Sequence, residues 1–237
     1  MALDLGLHRL GEMSQSTENP MSQAEEENRR RVFWCAYVLD KTLAAQFGRP
    51  PILRSVESDC PLPSIHSEDD EWMTFEKVRH HNPNSDALTR SLHGRRIGVS
   101  SYFINGCQLA VICEAIIEKY NVIHNKQEVW KRDQGNQVSY LHDKLTRWMD
   151  DTPDHLKWMP NQPAGHFSFV LHQQIWAQVC MILIHRPYIL KGCGDPKINS
   201  HAECSKATER MCGVLRDWER QYDLRALPSG SVYCLFT

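Results

Sequence analysis

Residues 22 to 51 hold one complete helix whose start, apolar faces and end are all legible in the chain, and neighbouring segments must fold around it. Ser22 and Glu25 have capping-box spacing, in which a hydroxyl and a carboxylate each satisfy an otherwise orphaned backbone donor, and Pro20 sharpens the start. Glu25, Glu26 and Glu27 stand four residues ahead of Arg29, Arg30 and Arg31, the acid-first order that favours helix pairs, so the triple arginine is expected to be locally balanced. Val32, Ala36, Leu39 and Leu43 recur at three- and four-residue spacing and predict one buried face; Phe33, Tyr37 and Ala44 predict an adjoining one. A helix apolar over that much of its girth belongs inside a bundle. Gly48 can supply the left-handed turn after the last helical residue, and Pro50 with Pro51 prevents continuation.

Helical periodicity returns along the rest of the chain. Ala2 to Leu10 reads as a short amphipathic helix, followed by a polar loop to Pro20 and, beyond the central helix, an acidic, Pro-rich connector over residues 50–71. Trp72 to His80 reads as another short helix. From Asp86 to Tyr120 the apolar pattern is strong, but Gly94, Gly98 and Gly106 predict a break or a close crossing with a neighbour. Val138, Leu141, Leu145, Trp148 and Met149 mark a helix stopped by Pro153, and His166 to His185 a very apolar one ended by Pro187. Ser200 with Glu203 repeats the capping box before a face of Cys204, Ala207, Met211, Leu215, Trp218 and Tyr222. No run alternates at period two. The expected fold is all-α, an irregular bundle of six to eight helices forming a single domain over residues 1–237.

The net charge of −2 and pI near 6.6 offer no basic face of the kind a DNA backbone requires, so no DNA-binding residue is assigned to this chain. The longest apolar runs fall short of the ~20 residues of a membrane span, and Asp4, His8 and Arg9 spoil a signal peptide. An intracellular protein with no membrane association is therefore expected. Nine cysteines include no Cys-x-x-Cys pair, which removes a cysteine zinc cluster from this chain. Cys35, Cys107, Cys113, Cys180, Cys204 and Cys212 read as small core hydrophobes.

The chemistry-bearing residues form no reactive constellation. No His-Glu-x-x-His motif occurs, and His80 with His81 point different ways on a helix. Gly98-Val99-Ser100-Ser101-Tyr102 lacks the second glycine of a nucleophile elbow, and the prolines of Gly48-Arg49-Pro50-Pro51 remove the amide donors a phosphate loop needs. His8 and His185 read as structural histidines. No catalytic, metal or cofactor residue is assigned. Asp40, on a mostly buried helix, needs a partner if it is buried: Arg49 first, then His8 or Arg9, with exposure of both as the alternative. Trp34, Trp148, Trp176 and Trp218 either line an interior pocket or are plain core.

Several of these stretches together resemble the middle homology region of fungal-specific transcription factors. They are the Leu5-Gly6-Leu7-His8-Arg9 entry, the Glu-rich turn into Arg29-Arg30-Arg31-Val32-Phe33-Trp34, the Tyr37 to Asp40 segment, Phe47-Gly48-Arg49-Pro50, and Cys60-Pro61-Leu62-Pro63. The match is good over the first quarter of the chain and thins to Ile184-His185-Arg186-Pro187 and Tyr233-Cys234-Leu235-Phe236 beyond it. The resemblance implies a helical, non-catalytic regulatory domain of a nuclear RNA polymerase II transcription factor, with Leu5, Gly6, His8, Arg9, Arg31, Phe33, Trp34, Asp40, Gly48, Arg49 and Pro50 as structural signature residues. It implies that zinc and DNA are held by a separate N-terminal cluster, that both ends of this chain are cut, and that the partners are a small-molecule effector, a second copy or a transcriptional co-regulator. An α-helical enzyme with a site gathered from several helices, or a protein-interaction scaffold, are the alternatives.

Overall fold

The computed structural model describes residues 3–9, 21–64, 98–121, 134–162, 165–228 and 230–231. Five α-helices make up most of them: α1 (Gln23–Phe47), α2 (Val99–Asn121), α3 (Gln134–Asp151), α4 (Ser168–His185) and α5 (Ser200–Gln221). No strand occurs among the described residues, and the fold is all-α. Short 3-10 turns at Ser55–Glu57, Asp154–Leu156, Arg186–Tyr188 and Leu224–Ala226 join or end the helices. The helix expected at Trp72 to His80, the pattern at Leu88 to Gly94 and the Tyr233 to Phe236 segment lie outside the described residues.

α1 has the ends its sequence predicts. Ser22 Oγ accepts a hydrogen bond from the Glu25 N–H at 3.2 Å, and Gly48 sits at φ 61°, its N–H donating to the Ala44 carbonyl. The three acid-first pairs all form: Arg29–Glu25 at 3.4 Å, Arg30–Glu26 at 2.7 Å and Arg31–Glu27 at 3.0 Å. Of the two faces expected to be buried, the one carrying Phe33, Tyr37 and Ala44 is, and the one carrying Val32, Ala36, Leu39 and Leu43 is not. Val32 is 54% and Leu39 58% exposed, Ala36 and Leu43 are half-buried, and the covered side carries Phe33, Trp34, Tyr37, Lys41 and Ala44. At 3.6 residues per turn the two faces lie about 140° apart. A helix apolar nearly all round has several candidate faces, and what decides between them is where its neighbours lie.

The entry segment differs too. Residues 3–8 form successive turns instead of a helix, with Gly6 N–H donating to the Leu3 carbonyl and Arg9 N–H to that of Gly6, both at 3.0 Å. Gly6 takes a φ of 65°, outside the right-handed helical region, and so prevents the helix its flanks would favour.

α4 is the axis of the molecule, packed by α2, α3 and α5, while α1 lies on α2. The main core gathers Leu141, Leu145, Leu171, Ile175, Val179, Ile184 and Trp218. A second, smaller core joins Leu7, Phe33, Trp34 and Tyr37 to Leu53 and Cys60 of the connector and to Cys107 and Ala110 of α2. Through Leu53 and Cys60 the connector is part of this core over its described part. α2 runs through Gly106 unbroken, and a Cβ there would lie 3.2 Å from Gln173 Nε2, so the glycine marks a close crossing with α4. Contrary to the sequence expectation, Val99–Lys119 is long and apolar enough to cross a membrane; 56% of its most apolar window is buried inside the bundle, as in the core helix of a helical domain.

α5 begins one residue earlier than its capping-box spacing implies. Asn199 Oδ1 accepts from the Ala202 N–H at 3.1 Å, and the Ser200 hydroxyl instead lies 3.3 Å from His185 Nδ1. Among the cysteines expected in the core, Cys107, Cys113 and Cys180 are buried, whereas Cys35 and Cys212 are exposed and Cys204 is half-buried. Cys35 follows from the rotation of α1, since it lies close to the Val32 side.

Candidate functional site

Asp40 is buried, which decides against the exposed alternative, but its partners are not those expected. Its Oδ2 accepts from Lys41 Nζ at 3.0 Å and from the backbone N–H groups of Ile52 and Leu53 at 2.9 and 3.0 Å. Arg49 is exposed, as are Arg9 and Pro50, and His8 is only half-buried. The reason is geometric. Gly48, Pro50 and Pro51 turn the chain back, so that the amides after the prolines, rather than the Arg49 side chain, meet the end of α1.

Asp40 opens onto a larger polar node. The Lys41 ammonium, 1% exposed, also donates to the Leu53 carbonyl, stands 3.9 Å from the centre of the Tyr37 ring and lies 4.0 Å from Glu114 on α2. Glu114 accepts hydrogen bonds from the Tyr37 hydroxyl at 2.5 Å and from the Ser55 N–H at 3.0 Å. Burial first, and the Glu114 carboxylate second, hold the Tyr37 phenol well above its usual range, so the hydroxyl stays protonated and donates. Two carboxylates, one ammonium and a phenol thus bind α1, the turn at residues 52–55 and α2 together. An unpaired charge at this depth would cost several kcal/mol, so each member depends on the others.

A second clamp holds the far end of the connector. Glu27, 7% exposed, receives Arg30 and Arg31 at 3.0 Å each and the Ser64 N–H and hydroxyl at 3.2 and 2.9 Å. Burial alone would raise its pKa, but the hydrogen bonds from Arg31 and Ser64 and the charge of Arg30 bring it below the usual carboxylate value. Trp34 Nε1 donates to the Pro61 carbonyl at 2.8 Å, and the His8 carbonyl accepts from Asp59 N–H and Ser58 Oγ at 3.1 Å each. The signature residues therefore divide. Gly6, His8, Arg31, Phe33, Trp34, Asp40 and Gly48 build the α1–connector junction, whereas the Leu5, Arg9, Arg49 and Pro50 side chains face solvent. Lys41 and Glu114 were not singled out from the sequence. The available signal was a lone carboxylate inside the apolar Ala110 to Ile117 run.

Two openings adjoin this junction. A cavity of about 80 Å³ lies where α1, α2 and α4 meet, lined among others by Lys41, Tyr102, Gly106, Cys113, His172 and Trp176. A wider cleft of about 450 Å³ lies between α1, α2, α3 and the connector, with Trp34, Val111, Lys144, Arg147 and Trp148 on its walls. Of the four tryptophans considered for a pocket, Trp34 and Trp148 border the cleft and Trp176 the cavity, while Trp218 is core.

Elsewhere, His185 is fully buried and shares a 2.9 Å contact with His142. Burial, followed by the neighbouring His142 ring, pushes it down to about 4, which leaves it a neutral hydrogen-bonding residue at ordinary pH. The Cys60 and Cys107 thiols are pushed up to about 12, chiefly by burial, which makes them poor nucleophiles. Among the described residues no three His, Cys, Asp or Glu side chains are grouped to hold a metal ion.

The fold and its junction define a class, a helical domain whose distinctive residues converge on a structural node. The chain belongs to the fungal specific transcription factor domain family, whose model matches residues 1–162, well past the first quarter where the motifs were most legible. Similar proteins include an uncharacterised transcriptional regulatory protein of Schizosaccharomyces pombe, 25% identical over 96% of this chain and 36% of that protein. The nitrogen assimilation transcription factor nirA of Emericella nidulans is 21% identical over 100% of this chain and 25% of its own length. The transcriptional activator protein acu-15 of Neurospora crassa is 28% identical over 89% of this chain and 22% of its own length. The chain thus spans roughly a quarter to a third of these relatives. No solved structure matches it.

Proposed function

We propose that residues 1–237 act as one non-catalytic regulatory domain of a nuclear transcription factor that controls RNA polymerase II transcription. Family membership supports the regulatory role, and relatives of this kind supply the expectation that DNA is held by a separate zinc-bearing module. The carrying observation is that three buried charged groups at the junction, Asp40, Lys41 and Glu114, are all engaged in holding α1, the connector and α2 together. Such a node serves conformational coupling, since a small change in the α1–α2 packing disturbs several mutually dependent charges at once. The 80 Å³ cavity beside Lys41 leaves that packing imperfect on one side. An effector or co-regulator that binds one packing better than another shifts the population by its differential affinity.

The test fuses the chain to an unrelated DNA-binding module and reads transcription from a matching reporter. The fused domain is expected to raise or lower output, and Glu114→Gln is expected to change that effect while circular dichroism still reports a helical fold. Output identical with and without the domain would remove the regulatory reading.

A further inference from the structure

The cleft between α1, α2 and α3 has the size and lining of a ligand site. At about 450 Å³ it falls within the range of small-molecule pockets. Its walls are fixed by hydrogen bonds among the lining residues and their neighbours. Trp148 Nε1 donates to the Asn105 carbonyl at 3.0 Å, Asn105 Nδ2 donates to Gln173 at 2.9 Å, and Trp34 Nε1 is held by Pro61. Both indole donors are thus engaged, and the rings contribute apolar surface in a fixed arrangement.

The charged side of the cleft is made by Lys144, Arg147 and Asp151 of α3, with cations in excess by one. Lys144 and Arg147 stand three residues apart on α3, on one face. Among the described residues neither forms an ion pair, and Asp151, one turn beyond Arg147, lines the cleft beside them; Lys144 Nζ stands 5.8 Å from the centre of the Tyr140 ring. Two cations against one carboxylate leave a positive excess beside two fixed indoles, which complements one kind of small molecule, with a flat or branched apolar body and a terminal carboxylate.

We propose that this cleft binds a small organic acid. The inference rests on the regulatory reading and identifies the chemical class of the effector. A route to the node is present. The Trp34 and Tyr37 rings meet edge-on with centres 4.9 Å apart, and Tyr37 donates to Glu114. A ligand seated against Trp34 bears on α1 about two turns from Asp40 and Lys41.

The experiment titrates the whole 237-residue chain by calorimetry with 1-naphthylacetate and with its neutral isostere 1-naphthylacetamide. One acid molecule is expected to bind per chain, roughly tenfold or more tighter than the amide, the margin a charge-assisted hydrogen bond supplies. In Lys144→Met/Arg147→Met that margin is expected to vanish, while amide binding and thermal midpoint stay unchanged, since neither side chain is buried. Raising the salt concentration should narrow the margin in the native chain. Equal affinity for acid and amide, a margin that survives the double substitution, or no binding of either compound would overturn the proposal. The reporter assay separates the two readings: a chain that binds the acid with this selectivity yet leaves transcription unchanged keeps the site and loses the regulatory role.

Discussion

Replacing Lys41 with methionine tests the polar node most severely. The side chain is 1% exposed and stands within 4.0 Å of both Asp40 and Glu114, so its removal leaves two carboxylates near each other with their counter-charge gone. Asp40 keeps the Ile52 and Leu53 N–H groups, and Glu114 keeps Tyr37 and Ser55. These contacts prevent complete loss but do not neutralise the charge. Breaking a buried pair on one side costs about 3–5 kcal/mol. Methionine has similar length and fills the space, so little of that is cavity. For a chain of this size each kcal/mol moves the thermal midpoint by about 2–4 °C, which puts the expected drop at about 6–20 °C. Urea unfolding followed by tryptophan fluorescence, with calorimetry alongside, measures both quantities. Lys191→Met, at an exposed position, should stay within about 0.5 kcal/mol. Adding Glu114→Gln to Lys41→Met should recover part of the loss, because the second change removes one uncompensated charge. A Lys41→Met loss below about 1 kcal/mol would mean that the ammonium is not confined among these carboxylates, and the coupling argument would fail with it.

The two faces of α1 give a second contrast: Phe33→Ala, at 2% exposure, should cost about 3–5 kcal/mol, whereas Val32→Ser and Leu39→Ser should each change urea stability by about 0.5 kcal/mol or less. At the start of α5, Asn199→Ala should cost about 1 kcal/mol through the lost cap, measured by thermal melting; an unchanged midpoint would return the cap to Ser200. His185 faces His142 from α3, Ser200 and Glu203 from α5, and the charge of Lys119 from α2. Its folded pKa lies below its unfolded one, so above about pH 6.5 it has no effect on stability. Below that the unfolded chain takes the proton and the folded chain resists it, and up to about 3 kcal/mol is lost as pH falls towards 4. Denaturant titrations across that window should show the loss, and His185→Gln should flatten it.

Much of this architecture is written locally. The limits of α1 follow from Ser22, Gly48 and the prolines, and its ion-pair ladder from four-residue spacing, because each involves chemistry within a turn or two of the chain. Facing is a different matter. Val32 and Leu39 have the right periodicity for burial, but Leu7, Leu53, Cys60 and α2 happen to cover the other side. Ser200 and Asn199 are equally good caps in isolation, and the contact of Ser200 with His185, fifteen residues away, assigns the role to Asn199. The site was only half visible for the same reason. Asp40 was recognisable as a buried carboxylate, yet its partnership with Lys41 and the link to Glu114, more than seventy positions further on, depend on how the proline turn redirects the chain. Trp34 and Trp148 could be named as pocket candidates, but only the packing of α1 and α3 against α2 makes them neighbours across one cleft.

Native-state hydrogen exchange on the intact chain, comparing the native sequence with Glu114→Gln, measures the proposed coupling directly. If the node holds α1, residues 52–55 and α2 as one unit, the substitution will speed exchange in α1 and in the Ile52 and Leu53 amides together, by a similar factor, and leave the centre of α5 unchanged. Faster exchange confined to α2, or spread evenly over α5 as well, would contradict it.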